Sequence, residues 1–240
     1  MKKWNKSDTN FIVKSITASV IAIILWLSFD SYIINENYFD ISLNEEGAKH
    51  KALNYIASRG WDITDYTYAS SFYRGTEEYL IGNTAKNDKD IIKQIDKLAG
   101  YHRWRMRWFK PPNEHEINIA YTKDGDLAYF ERILPDTLAG DSLPEDIAYN
   151  IAKMFMKNMI DSKWDESDWD VKEKSTDKKK NRLDYYFEWE NNKYKFDEST
   201  IRMSLRVHGN EVVRYNRWIH ISDELNKQES NWDSIKDFIE

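Results

Sequence analysis

The residues best equipped for chemistry lie in the run 102–110, His-Arg-Trp-Arg-Met-Arg-Trp-Phe-Lys. In a strand, positions two apart share a face. Arg103, Arg105 and Arg107 then form one row of guanidinium groups, suited to gripping a carboxylate or phosphate with paired hydrogen bonds. The simpler reading is structural. The arginines pair across strands with acids such as Glu114, Glu116, Glu188 or Glu190, while Trp104, Met106 and Trp108 face the core. Aromatic and basic side chains interleaved in this way also suit single-stranded nucleic acid, but the net charge of −6 argues against that partner.

The rest of the chemical inventory is sparse. The five histidines (His50, His102, His115, His208 and His220) show no metal-ligand spacing. In Glu114-His115-Glu116 a strand would split the side chains between two faces. No nucleophile elbow, phosphate-binding loop, zinc-protease helix or dinucleotide fingerprint occurs. The chain has no cysteine, which excludes thiol catalysis, cysteine-ligated zinc and iron–sulfur clusters. Acid pairs such as Glu45-Glu46 and Glu77-Glu78 read as solvated helix starts. We expect no catalytic residue, no metal and no cofactor.

The elements that would position these residues form a pattern used twice. Ser42-Leu43-Asn44-Glu45-Glu46-Gly47-Ala48 recurs as Ser142-Leu143-Pro144-Glu145-Asp146-Ile147-Ala148. Each copy reads as a capping box, with a serine N-cap and a glutamate three positions on. An amphipathic helix follows each box, with stripes Ala48, Ala52, Tyr55, Ile56 and Ile147, Ile151, Ala152, Phe155, Met159. Gly60 is a left-handed stop for the first helix.

Strand patterns come next: 66–73, then 102–110, 116–122 and 127–134, the last two joined through Asp124-Gly125. A short helix near 76–80 and a longer one over 87–99 interrupt them. The second unit offers 169–174 and 183–190 around a polar loop, 175–181. Ile201, Met203, Leu205 and Val207 then alternate strictly, and His208-Gly209-Asn210-Glu211 turns the chain into 212–221. Alternation with polar partners outward favours antiparallel sheets with one buried face over a doubly wound parallel sheet. The expected fold class is α+β: two tandem helix-on-antiparallel-sheet units, 40–135 and 140–222, ending in a charged juxtamembrane helix over 223–240.

Ahead of both lies the apolar run 11–29, FIVKSITASVIAIILWLSF. It matches the roughly 20 residues that a helix needs to cross a bilayer, and Lys14 can extend its ammonium to the headgroups. Lys2, Lys3 and Lys6 precede it, while Asp30, Glu36, Asp40, Glu45 and Glu46 follow. That asymmetry predicts a cytoplasmic tail over 1–10, a single transmembrane anchor over 11–31 and an extracytoplasmic bulk. A cleaved signal peptide fits less well, because the exit lacks a small-x-small cleavage pattern. With aromatics at 15% and ten tryptophans, the remainder can build a packed core despite 32% charged residues. The expected partner of the anchor is the lipid bilayer, and nucleic acid is excluded.

A family resemblance adds to these readings. Trp104-Arg105-Met106-Arg107-Trp108-Phe109-Lys110-Pro111, followed by Glu114 and Glu116, resembles a block in the extracytoplasmic region of bacterial intramembrane peptidases of the CPBP family (CAAX prenyl protease and bacteriocin-processing, or Abi). Asp124-Gly125-Asp126 with Phe130, Leu134-Pro135, Gly140 and Leu143 follow in order. Asn181-Arg182-Leu183-Asp184-Tyr185, Phe187-Glu188-Trp189-Glu190 and Arg206-Val207-His208-Gly209-Asn210-Glu211-Val212 complete the set. Taken together, the strand-spaced arginine row and the motif residues give a candidate binding set of Arg103, Arg105, Arg107, Trp108, Glu114, Glu116, Arg182 and Asp184. The resemblance also implies a polytopic peptidase domain, or a peptide or protein substrate, as partner. The catalytic E-E-x-x-x-R of that family is missing here. The expected role is therefore a non-catalytic accessory region that positions substrates or senses conditions, with the catalytic membrane domain absent from this chain. The alternative is a stand-alone single-pass envelope binding or sensor protein.

Overall fold

A computed structural model describes residues 6–30, 41–73, 88–111, 115–160, 164–196 and 199–222. The chain divides into two units, Met1–Asp40 and Ile41–Glu240. The expected short helix near 76–80, the juxtamembrane helix 223–240 and Glu114 lie outside the described residues.

In the first unit, α1 (Lys6–Asp30) is one helix of 25 residues. Phe11, Val13, Ile16, Val20, Ile21, Ile23, Ile24 and Leu25 are all exposed. Successive residues are about 100° apart, so this run is apolar all round. Among the described residues no helix is long and apolar enough to cross a membrane, which corrects the expected transmembrane anchor. Lys14, Ser15, Thr17 and Ser19 interrupt the apolar run, and Thr17 returns its hydroxyl to the Val13 carbonyl at 2.9 Å.

The second unit holds one antiparallel sheet of eight strands in the order β1-β2-β3-β4-β8-β7-β6-β5. The strands are β1 (Thr67–Tyr73), β2 (Arg103–Phe109), β3 (Glu116–Thr122), β4 (Leu127–Ile133), β5 (Trp169–Lys178), β6 (Leu183–Phe196), β7 (Ser199–His208) and β8 (Glu211–His220). Among the described residues three α-helices accompany them: α2 (Glu45–Ser58), α3 (Lys89–Ala99) and α4 (Glu145–Phe155), the last running into a π turn, Met156–Ile160. The α+β class holds. The two tandem units do not: β4 pairs with β8 through Tyr129↔Asn216, Phe130↔Tyr215 and Glu131↔Arg214, so both repeats share a single sheet. The supposed loop 175–181 is mostly the outer half of β5, which runs to Lys178.

Alternation decides the layers. Met106, Ile119, Phe130, Tyr215, Leu205 and Phe187 are successive cross-strand partners, and all are almost fully buried. At about 1.5–3 kcal/mol for each fully buried large apolar side chain, this row is a major part of the driving force. α2 lies against β2 and β3, α4 against β6, β7 and β8, and α3 against β7 and β8. Their apolar faces join the same side of the sheet.

The repeat is visible in three dimensions. Ala48, Ala52 and Tyr55 of α2 and Ala148, Ala152 and Phe155 of α4 are buried at matching positions. Tyr55 meets Phe130 at 5.3 Å between ring centroids, and Phe155 meets Tyr215 at 6.3 Å. Both helix entries are pinned alike: Trp104 Nε1 donates to the Leu43 carbonyl at 2.8 Å and Tyr185 Oη to the Leu143 carbonyl at 2.7 Å. Ile147, expected in the second stripe, is exposed.

The capping boxes are corrected. The first N-cap is Asn44, whose oxygen accepts from Gly47 N at 2.8 Å, and the second is Pro144, which has no side-chain cap bond. Ser42 donates to the Lys123 carbonyl instead, because the chain stays extended until residue 45. Glu211 ties the halves together, accepting from Trp61 Nε1 at 2.8 Å and Arg132 Nη1 at 3.0 Å.

Candidate functional site

With the helices on one side, the opposite side of the sheet carries the polar members of each strand. One row crosses all eight strands: Ala69, Arg107, Asn118, Glu131, Arg214, Arg206, Tyr186 and Ser175. Arg107 is matched, forking onto Glu116 with Nε to Oε1 at 2.7 Å and Nη2 to Oε2 at 2.6 Å. The Arg107 and Asn118 hydrogen bonds outweigh the burial of the Glu116 carboxyl and hold it below its ordinary range. Further along, Arg214 reaches Glu131 at 3.4 Å, and Tyr129 donates to the same carboxylate at 2.6 Å.

The centre of β7–β8 is different. Arg206 and Arg214 stand directly opposite each other, a like-charge pair that costs stability unless something offsets it. Arg206 is exposed and has its guanidinium 6.0 Å from the Tyr186 ring. The Arg214 Nε is buried without a hydrogen-bond partner. Around them opens a groove of about 580 Å³ lined by Arg206, Arg214, Tyr186, His208, Asn216 and Trp218 at its centre and by four acids, Asp136, Glu173, Asp177 and Asp184, with Lys179 towards one end. A smaller hollow of about 200 Å³ lies over Ala69, Ser71 and Ala120, beside Arg105 and Tyr129.

His208 borders the groove with Nε2 at 3.7 Å from Asp184. Burial lowers its pKa; Asp184 opposes this, while Arg182, Arg206 and Lys179 push it further down. Tyr186 is pushed up to about 12 by burial and by its bond to Glu188. Glu190, beside the groove, sits at about 2: burial raises its pKa, but hydrogen bonds from Lys172, Thr200 and Arg202 with the Lys172 charge more than reverse it. Among the described residues no three acids or histidines gather closely enough to hold a metal. The Arg206–Arg214 pair on such a surface can hold an anion.

The sequence-predicted set is divided. Arg103, Arg105 and Arg107 do share the helix-free face, Arg107 bound to Glu116 and the other two over the Tyr73 ring at 5.2 and 4.8 Å. Trp108 points to the helix side, is buried and packs on Tyr68. Arg182 and Asp184 are both buried. Arg182 Nε binds Asp184 at 2.8 Å, and its Nη1 donates to the carbonyls of Pro135 and Leu138 at 2.9 and 2.8 Å. That makes Arg182 the clamp of the segment leading into α4. Arg206 and Arg214 are absent from the predicted set, although their phase, out of step with Leu205 and Tyr215, is legible in the sequence.

Comparison with known proteins corrects the peptidase resemblance. The family described as DUF4901, the YcdB, YcdC repeated domain, matches residues 88–218. That span contains all the blocks on which the CPBP likeness rested. Those blocks are alternating strands and their turns, β2, β6 and the β7–β8 hairpin, a pattern shared by many antiparallel sheets, so their agreement with a peptidase region carried no kinship. No curated protein matches. Among solved structures, the Bacillus megaterium YpeB C-terminal domain is similar at 12% identity and a TM-score of 0.41, over 74% of this chain and 64% of that one. The chain thus spans less than two thirds of that structure's length.

Proposed function

We propose, from the premise that the chain belongs to the DUF4901 family of the YcdB, YcdC repeated domain, that it is a non-catalytic binding protein whose helix-free sheet face holds an anionic group of a peptide or protein partner. The observation that carries this reading is the Arg206–Arg214 pair at the centre of an open groove. Arg214 meets Glu131 at 3.4 Å, while of the acids that line the groove Asp136 and Asp177 are held by Lys179 and Asp184 by Arg182. Asn216 beside the pair supplies a further hydrogen bond to a carboxylate or phosphate.

The test is calorimetric titration of the full chain with citrate and with inorganic phosphate. The double variant Arg206→Gln/Arg214→Gln should lose at least about tenfold in affinity, as expected when charge-assisted bonds to an anion are removed. Equal binding by both proteins would refute the reading.

The N-terminal unit adds the second half of the proposal, that α1 takes a lipid bilayer as its partner. Support comes from its exposed apolar side chains on every side. The full chain should float with liposomes where a 41–240 fragment stays behind. A fragment that floats equally well would refute this half.

A further inference from the structure

The helix side of the sheet contains a charge in the wrong phase. Along β8, Tyr215 and Ile219 face the core, and Arg217 lies between them in the same phase, opposite Met203 of β7. Its Nε and Nη2 are buried without any hydrogen-bond partner. Among the described residues no carboxylate lies within ion-pairing distance of it. Arg217 is half-buried and hydrogen-bonds with Tyr215, but the two buried nitrogens lose their hydration without return, so this position favours a counterpart.

A cavity of about 230 Å³ adjoins it, enclosed by the π turn after α4, the segment 164–169, and strands β6 to β8. Its walls include Met156, Trp164, Trp169, Tyr194 and Met203. The Trp164 Nε1–H is also buried and has no acceptor. At the rim Lys193 binds Asp168, Asp165 accepts from the Ser167 amide at 2.9 Å, and the Asn191 oxygen accepts from the amides of Lys193 and Tyr194; both carboxylates keep further acceptor capacity. The unmatched groups are two donors, Arg217 and Trp164, one of them cationic, at an aromatic and thioether wall. π turns of this kind recur at functional sites.

We propose that this cavity binds a small monocarboxylate with an apolar body, its carboxylate taken by Arg217 and Trp164 Nε1 and its body packed among Met156, Trp169 and Met203. The site lies on the opposite side of the sheet from the anion groove and does not depend on it. Two sources share this chemistry: a free carboxylic acid, and the C-terminus of a peptide ending in an apolar residue.

The full chain is titrated with phenylacetate, phenylacetamide, a tripeptide ending in phenylalanine and the same tripeptide amidated. Heat and tryptophan fluorescence are read, with Trp164→Phe as the optical control. At least one acid should bind about tenfold or more tighter than its amide. Binding of phenylacetate alone identifies a free acid; binding of the tripeptide identifies a peptide end. Arg217→Met should abolish the acid-over-amide preference. The same variant, without ligand, should melt at a higher temperature than the unmodified chain, which also shows that it folds. No binding by either acid, equal binding of acid and amide, or a preference that survives Arg217→Met would overturn the proposal.

Discussion

Phe130→Ala is the sharpest perturbation of the shared sheet. Phe130 is fully buried in β4, the strand that joins the two halves. It contacts rings from both: Tyr55 at 5.3 Å, Trp61 at 6.1 Å and Phe155 at 5.5 Å. Truncating a buried phenylalanine costs about 3–5 kcal/mol. Three aromatic neighbours, fixed by a sheet and two helices that cannot collapse into the space, put this site at about 4–5 kcal/mol. For a unit of this size that lowers the melting temperature by about 8–20 °C. The assay is urea unfolding of the full chain followed by far-ultraviolet dichroism and by tryptophan fluorescence. One shared sheet predicts a single coincident transition in both proteins, shifted as a whole in the variant. Two transitions, with only one displaced by Phe130→Ala, would mean that the repeats fold as independent units. A loss below about 1 kcal/mol would mean that the ring row is not the core.

Three further outcomes follow from local geometry. Arg182→Ala strands the buried Asp184 carboxylate and frees two carbonyls; urea unfolding should show a loss of about 3–5 kcal/mol. Glu190 titrates at about 2 in the fold against an ordinary 4.5. A depressed carboxyl pKa adds stability that is complete above the unfolded value and disappears as pH falls through the folded one. Unfolding midpoints should therefore drop between about pH 4.5 and 2, and Glu190→Gln should flatten that part of the decline. Gly209 has φ +59°, and a Cβ there would come within 2.8 Å of the Asp141 backbone nitrogen. Gly209→Ala should cost more than the about 1–2 kcal/mol of left-handed strain alone, whereas Gly60→Ala, at φ +67° with open space around it, should cost only that strain.

Much of the fold is legible because alternation is a strong local signal. Trp104, Met106 and Trp108 announce one face of β2, and Ile201 to Val207 one face of β7. The recurrence of Ser42–Ala48 at Ser142–Ala148 announces the repeat. Alternation reports which face a side chain takes, not which strand lies beside it, so the β4–β8 pairing that fuses the halves has no local signature. The same limit hides the site. Arg103, Arg105 and Arg107 stand out as a dense run, yet Arg107 is neutralised by a neighbour on the next strand. Arg206 and Arg214 become a pair only through long-range register. Arg217 was readable, as a charge in the apolar phase between Tyr215 and Ile219. The helix caps fail for a smaller reason: Ser42 finds the Lys123 carbonyl, a tertiary partner that local capping rules do not contain.

The central claim is that the helix-free face is where this protein meets its partner, through Arg206 and Arg214. Amide and side-chain chemical shifts of the full chain, followed during titration with citrate, address it most directly. Changes confined to the groove around Arg206, His208, Arg214 and Asn216 are the predicted result. Changes centred on the Arg103–Arg107 row or on the helix side, with the groove silent, would contradict it.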